Sequence, residues 1–380
     1  MPPNSSSAAV NATDLKDNEI TPIEMTSKNK LRWYEPETKI LWVNVIFIVT
    51  LHVISLYYFI TFPYTEHKIL LVWSEYFNLI IILLKYFFFL ILSKINKYFF
   101  FSGTNYPSVQ YTALITTYIH GFGIVAGAHR LWAHRSYKAK LPFRIILALC
   151  FFSTGQNSIF NWVRDHRVHH KYTDTEADPH DSTRGFWFSH VGWLMIKKKD
   201  EVRQRGRGID MTDILEDPVV QFFDRYFSII NPMLSFVVPV FIPVYFFNQS
   251  LKWTIVTQIF MRYPWLLNIT WSVNSFAHMF GYHSYDKSIR PTQNIFVSFV
   301  TGGEGWHNYH HVFPWDYKAN EFKSFWFNPT SLYLDMFHKL GLIYDLRRAT
   351  PDHIHKLAER KGDGTHHSQH KFSQKAVDCS

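Results

Sequence analysis

The chain has 380 residues and a formal net charge of +9, with 18% aromatic residues against an ordinary hydrophobic total of 47%. Its apolar residues are bunched into long runs rather than scattered, which argues against an ordinary soluble domain. The positive charge comes without any nucleic-acid motif, so no nucleic-acid partner is expected; basic residues beside apolar spans read as cytoplasmic loops and headgroup contacts. The two cysteines, Cys150 and Cys379, exclude a disulfide framework, and no CxxC zinc ribbon occurs.

Residues 1–38 are polar and rich in Ser, Asn and Thr, and read as a disordered cytosolic tail rather than a signal peptide. Residues 39–350 read as a membrane domain, and 351–380 as a polar cytosolic tail. Four segments are long enough to span hydrocarbon: Ile40–Phe62, Tyr111–Ala128, Phe227–Phe247 and Leu251–Trp271. Lys28, Lys30, Arg32 and Lys39 precede the first span, and Arg130, Arg135, Lys138, Lys140 and Arg144 follow the second. Both flanks carry the positive-inside signature, so an even number of crossings separates them and both termini lie in the cytosol.

Lys68–Phe101 disturbs this parity. It is long enough to span, yet it holds Glu75 and a mid-run Lys85, a central charge costing about 2.5–3.5 kcal/mol on insertion scales. Its composition is narrow, with no Gly, Ala, Pro, Thr, Arg, Asp, His or Gln, and the residues present are largely those of AT-rich codons. The segment reads either as an intron retained in the translated sequence or as a genuine hydrophobic insertion.

Nine histidines lie beside the spans: His129 and His134 in HRLWAH, His166, His169 and His170 in HRVHH, His278 in NSFAH, and His307, His310 and His311 in HNYHH. At about 100° per residue, His-x-x-His-His puts three imidazoles on one helix face, and its repetition points to convergence on metal. His129 and His134, five apart, do not share an ideal helix face; they fit a helix end that loosens as it leaves the membrane. An all-imidazole set of this size can hold two ions with four or more nitrogens each, without selecting iron over zinc or manganese. The later His353, His355, His366, His367 and His370 show no such framework and read as part of a solvated tail.

These residues resemble the membrane acyl-CoA desaturases, most closely the insect enzymes of the stearoyl-CoA desaturase type. The matching text is GAHRLWAHRSYKAK, WVRDHRVHHKYTDTEADPH, RGFWFSHVGWL, YDKSIRPTQN, GEGWHNYHHVFPWDY and GDGTH, covering roughly Leu31–His366 except for Lys68–Phe101. The resemblance implies an all-α membrane protein with four transmembrane helices and a cytosolic helical cap holding a His-rich di-iron site, in the endoplasmic reticulum membrane. It implies that the nine histidines bind two iron ions, with Asn274 reaching one through water. It further implies a cis double bond introduced into a saturated acyl-CoA at delta-9 or delta-11, using O2 and electrons from cytochrome b5 and its reductase.

Matching positions for the CoA head are Asn157, Arg164, Asp165, His180, Lys197 and Lys198, and for the acyl path Gln156, Trp162 and Trp271. Lys197 stands where the family usually has Arg, which keeps charge but loses bidentate geometry. The residues alone leave Trp162 and Trp271 open to ordinary core packing, and Arg164 with Asp165 to a structural ion pair beside His166. A lipid hydroxylase of the same metal chemistry, or an inactive product of a faulty translation, are the alternative readings.

Overall fold

The computed structural model describes residues 38–62, 109–322 and 327–368, and within them the regular structure is helical apart from one short ladder and three isolated bridges. The segment Lys68–Phe101 lies outside the described residues, as do the N-terminal tail and His370. Helix α1 (Trp42–Thr61) and helix α5 (Phe227–Phe247) are long and apolar enough to cross a membrane, and most of each is not buried by protein. Trp42, Val43, Ile46, Phe47, Val53, Leu56 and Ile60 all point outward from α1, a stripe that water would not tolerate at this size.

The other two expected spans are continuous helical runs that carry buried polar groups. Helix α2 (Val109–Phe122) passes into a π-helical stretch, Gly123–Ala133. Helix α6 (Tyr263–Met279) follows Leu251–Ile255 and a second π-helical stretch, Val256–Arg262. Asn248, in the left-handed conformation, ends α5 and makes the short turn between the two runs.

Helices α3 (Leu141–Phe152) and α4 (Ile159–Lys171) form the floor beneath the site. Phe143, Leu147, Phe151 and Phe152 of α3 and Ile159 and Val163 of α4 are fully buried in the main core with Trp132 and Leu334. Each such side chain contributes roughly 1.5–3 kcal/mol by burial. Close packing continues where a Cβ on Gly123 would sit 2.2 Å from the Phe151 backbone nitrogen, so only glycine lets the π-helical stretch lie against α3.

The start of α4 is fixed twice. Ser158 caps it through Asn161 N–H, and the Asp224 carboxylate accepts from Ile159 and Phe160 N–H at 3.0 and 2.9 Å. Beyond α6 come α7 (Ile295–Thr301), α8 (His307–Val312), α9 (Pro329–Lys339) and α10 (Pro351–Lys361). The ladder pairs β1 (Lys138–Ala139) with β2 (Ile343–Tyr344) antiparallel.

The expected solvated tail needs correction over its described part. Thr350 caps α10, whose Ile354 and Ala358 are buried against Tyr285, Tyr309 and Phe313, and His366 beyond it is buried as well. Enough apolar side chains recur at helical spacing here to seat the segment on the domain.

Candidate metal centre

The histidines gather into two groups: His129, His134, His166, His170 and His310, and beside them His169, His278, His307 and His311. The π-helical backbone explains how His129 and His134 meet. His134 N–H donates to His129 C=O at 3.1 Å, an i to i+5 bond, and this wider turn brings residues five apart onto one side. The pair do not share an ideal α-helical face; the loosened helix end expected for them takes the form of this π-helical turn.

The HRVHH and HNYHH helices do not each offer three rings to one ion. On α4 the i, i+4 pair His166 and His170 serves the first group while His169 turns to the second. On α8 the pair His307 and His311 serves the second group while His310 crosses to the first. The helices thus exchange one ligand each, and the groups abut where His170 stacks on His311 with ring centroids 4.1 Å apart.

Within the groups, Nε2 atoms face one another: His129 with His310 at 2.9 Å, His134 with His166 at 2.8 Å and His310 with His170 at 3.0 Å. In the second group His307 faces His278 at 3.0 Å and His311 at 3.1 Å. Opposed lone pairs repel unless a cation or proton sits between them. Two nitrogens each about 2.1 Å from a common ion and at right angles would be about 3.0 Å apart, so this spacing fits a shell of five or six ligands.

The outer ring atoms say which nitrogen is free. His129 Nδ1 donates to Glu304 at 2.7 Å, His169 Nδ1 to Asp178 at 2.9 Å and His278 Nδ1 to Asp174 at 3.3 Å. Thr173 Oγ1, which donates to His169 C=O, is left to accept from His311 Nδ1 at 3.4 Å. Each bond fixes the proton on Nδ1 and aims the Nε2 lone pair inward. The buried Nε2 of His169 has no hydrogen-bond partner among the described residues, as a ligand atom would before its ion is counted.

Burial, with repulsion from neighbouring rings, holds His134, His166, His170, His307, His310 and His311 well below the ordinary imidazole range, so they stay neutral at pH 7. Burial also opposes charge on His169, but the Asp178 carboxylate outweighs it and raises that pKa. Burial would raise Glu304, yet His129 and Arg130 hold it down to about 2. The donor set therefore fits a pair of transition-metal ions.

A family model described as fatty acid desaturase matches residues 105–320. The acyl-CoA Delta-9 desaturase of Acheta domesticus is 51% identical over 256 residues, 67% of this chain and 71% of that protein. Stearoyl-CoA desaturase 5 of Bos taurus is 49% identical over 263 residues, covering 68% of this chain and 78% of its own. An acyl-CoA Delta(11) desaturase of Choristoneura rosaceana is 47% identical, covering 69% and 78%. The chain belongs to the fatty acid desaturase family. It is an oxidoreductase, and its two long apolar helices together with its stearoyl-CoA desaturase relatives mark it as a membrane protein.

Around this desaturase centre the remaining expected residues fall in two places. Trp162 lies flat on His166, with centroids 5.0 Å apart and planes at 19°. Gln156 Nε2 donates to Thr270 Oγ1 at 3.2 Å, tying the loop before α4 to α6. Trp271 is buried and packs on His52 and His190. Asn274 is half-buried on α6, four residues before His278 and so on the same face.

The second place is polar. Arg164 donates to Asp165 at 3.3 Å, and Lys198 pairs with the other oxygen of the same carboxylate. The structural ion pair that the sequence left open is formed, with Lys198 as a third member. His180 packs against Trp193 with centroids 4.2 Å apart and planes tilted by 38°, while Lys197 and Asn157 are exposed.

Sequence reasoning missed the carboxylates behind the rings. Glu304 lies inside GEGWHNYHH, and Asp174 and Asp178 inside HHKYTDTEADPH, but no spacing rule says which oxygen backs which imidazole. Arg130 was read only as a flanking charge; it is buried, donating to Glu304 at 2.7 Å and to Tyr317 C=O at 2.9 Å.

Proposed function

We propose that the chain is a fatty acyl-CoA desaturase of the endoplasmic reticulum membrane, introducing a cis double bond into a saturated acyl-CoA with O2 and electrons from cytochrome b5 and its reductase. The observation that carries this reading is a pair of abutting, buried, all-imidazole groups in a chain about half identical to named acyl-CoA desaturases. In this reading one iron takes His129, His134, His166, His170 and His310. The other takes His169, His278, His307 and His311, with Asn274 reaching it through water. When bound, the iron pair supplies the oxidant needed to break an unactivated C–H bond.

The chain's own residues position the substrate and keep water out. A hydrocarbon has no polar handle, so its place is set by walls: Trp162, flat against His166, presents the acyl chain to the first group. Gln156 and Thr270, bonded to each other, brace the bend between α4 and α6, and Trp271 closes the path. The CoA head meets Arg164, Lys197, Lys198, Asn157 and His180, with Asp165 holding Arg164 and Lys198 together so that two cations face the CoA phosphates. α1, the α2 run, α5 and the α6 run serve as four transmembrane helices, with both termini and the cap in the cytosol.

Expression in yeast lacking its own desaturase, with gas chromatography–mass spectrometry of double-bond adducts, tests this. New cis-monoenes are expected, and their fragment masses give the bond position and preferred chain length. Absence of product from well-expressed protein would remove the reading. A second arm deletes residues 68–101; activity is expected to persist or to appear, and lower activity at matched expression would show that the insertion is a working part of the enzyme.

A further inference from the structure

Away from the nine histidines, a second group of metal-ligating side chains assembles from three parts of the chain. Glu321 comes from the loop after α8, His355 from α10, and His367 from the segment following α10; a ligand atom from each lies within 4.8 Å of the others. Their hydrogen bonding is lopsided. Glu321 Oε1 accepts from Tyr285 O–H and from His366 Nε2 at 2.8 Å, and His367 Nδ1 lies 3.3 Å from it at ion-pair distance. Glu321 Oε2 accepts no hydrogen bond among the described residues, and neither ring nitrogen of half-buried His355 makes one. The His355 ring nonetheless sits 5.4 Å from His366 and 6.0 Å from His367, inside the cluster rather than in solvent.

We propose that Glu321, His355 and His367 form a zinc site that fastens the segment after α10 to the loop after α8. Two imidazoles and a carboxylate suit zinc over magnesium or calcium, which prefer all-oxygen shells. Glu321 Oε2 and the His355 ring are the unengaged donors, and with a ligand atom of each of the three residues within 4.8 Å of the others a small ion could draw them together. Because His367 is about half exposed, with its side chain 48% accessible, the fourth position is open to water.

The consequence reaches the buried centre through one residue. Tyr285, which holds Glu321, packs edge-on against Tyr309 of α8 at 5.0 Å and donates its N–H to Asn308 at 2.9 Å. Occupancy of the zinc site thus braces the back of the HNYHH helix without touching its ligands.

The test uses the full-length enzyme, expressed with iron and zinc in the medium, purified in detergent and analysed by inductively coupled plasma mass spectrometry. Wild type is expected to carry about one zinc per chain beside its iron. His355→Gln and His367→Gln should each reduce zinc to background and lower the melting temperature while iron content stays at the wild-type level. His367 is the most exposed of the three, so that variant folds even if Glu321→Gln, which also releases Tyr285, does not. Zinc absent from wild type, or unchanged in both histidine variants, would overturn the proposal. Loss of iron together with zinc in His367→Gln would overturn it too, since the two sites would not be separate.

Discussion

The two imidazole groups share a chemistry and differ in how the fold supports it. Among the described residues, the five-histidine group is backed by a single carboxylate, Glu304, which holds His129 and is itself gripped by Arg130. The four-histidine group has fewer rings and more support: Asp178 behind His169, Asp174 behind His278 and Thr173 beside His311. One group gains its fifth ring from a π-helical turn in the backbone; the other gains its orientation from side-chain hydrogen bonds. Unequal means of fixing equivalent ligands suggest that each ion's surroundings are tuned separately, and substitutions can break that comparison.

The largest effect should come from the ligands that cross between helices. His310→Ala in the first group and His169→Ala in the second should each abolish turnover, measured as monoene formed per mole of protein, and lower iron content. A variant retaining near-normal activity would show that its group is not part of the reacting pair.

The carboxylates come next and separate the groups. Glu304→Gln, Asp178→Asn and Asp174→Asn keep shape but weaken the anchor on Nδ1, and each should cost about 10–100-fold in metal affinity or activity. Glu304→Gln should be the worst, because it leaves buried Arg130 without its carboxylate partner and removes the one carboxylate that backs the five-histidine group among the described residues. If Asp174→Asn proved as damaging, the contrast between one support and several would fail.

A pH series on metal-free enzyme reads both groups together. The six imidazoles held low by burial stay neutral in the folded state, yet in the unfolded chain they take up protons below about pH 6.5. The unfolded state then binds more protons, so stability should fall as pH drops below that value. His169 acts oppositely: its raised pKa gives stability that is present in acid and lost as pH rises past its folded value. Burial holds His278 low as well, so seven rings act against one, and the melting temperature of the apoprotein should decline from pH 7 to pH 5, and more gently in His134→Gln. A flat profile would mean that the rings are not buried neutral without metal.

How much of this was legible before the structure depends on the interaction. His166 with His170, and His307 with His311, follow from the i, i+4 spacing of any helix, and the need for two ions follows from the count of rings. The exchange of His169 and His310 between groups depends on how α4 and α8 cross, which spacing along one helix does not contain. The meeting of His129 and His134 was legible only as a loosened helix end; its π-helical form was not, because such a turn changes which residues align while leaving the residues themselves unchanged. The tail was misread for a different reason. Thr350-Pro351 and the apolar positions of α10 are an ordinary capped amphipathic pattern, but the histidines and charges around them lower the mean hydropathy enough to mask it.

The smallest expected effect concerns the two lysines beside the ion network, and it asks whether support matters outside the centre as it does inside. Lys198 is half-buried and paired with Asp165, whereas the Lys197 side chain is exposed and that residue is held in place through its backbone, its N–H donating to Lys39 C=O at 2.8 Å. An exposed, unbraced cation gains little from a phosphate after screening, roughly 0.2–1 kcal/mol, or about 1.4- to 5-fold in affinity. A cation already ordered by a carboxylate loses less freedom on binding and should contribute more. Lys198→Met should therefore raise KM for acyl-CoA more than Lys197→Met does, with kcat little changed in either. Salt should erase the Lys197 effect first, because its charge is the more screened. Equal KM shifts, equally sensitive to salt, would show that Asp165 does not brace Lys198 for the CoA head, and the ion network would then serve only to hold α4 against the loop that carries these lysines.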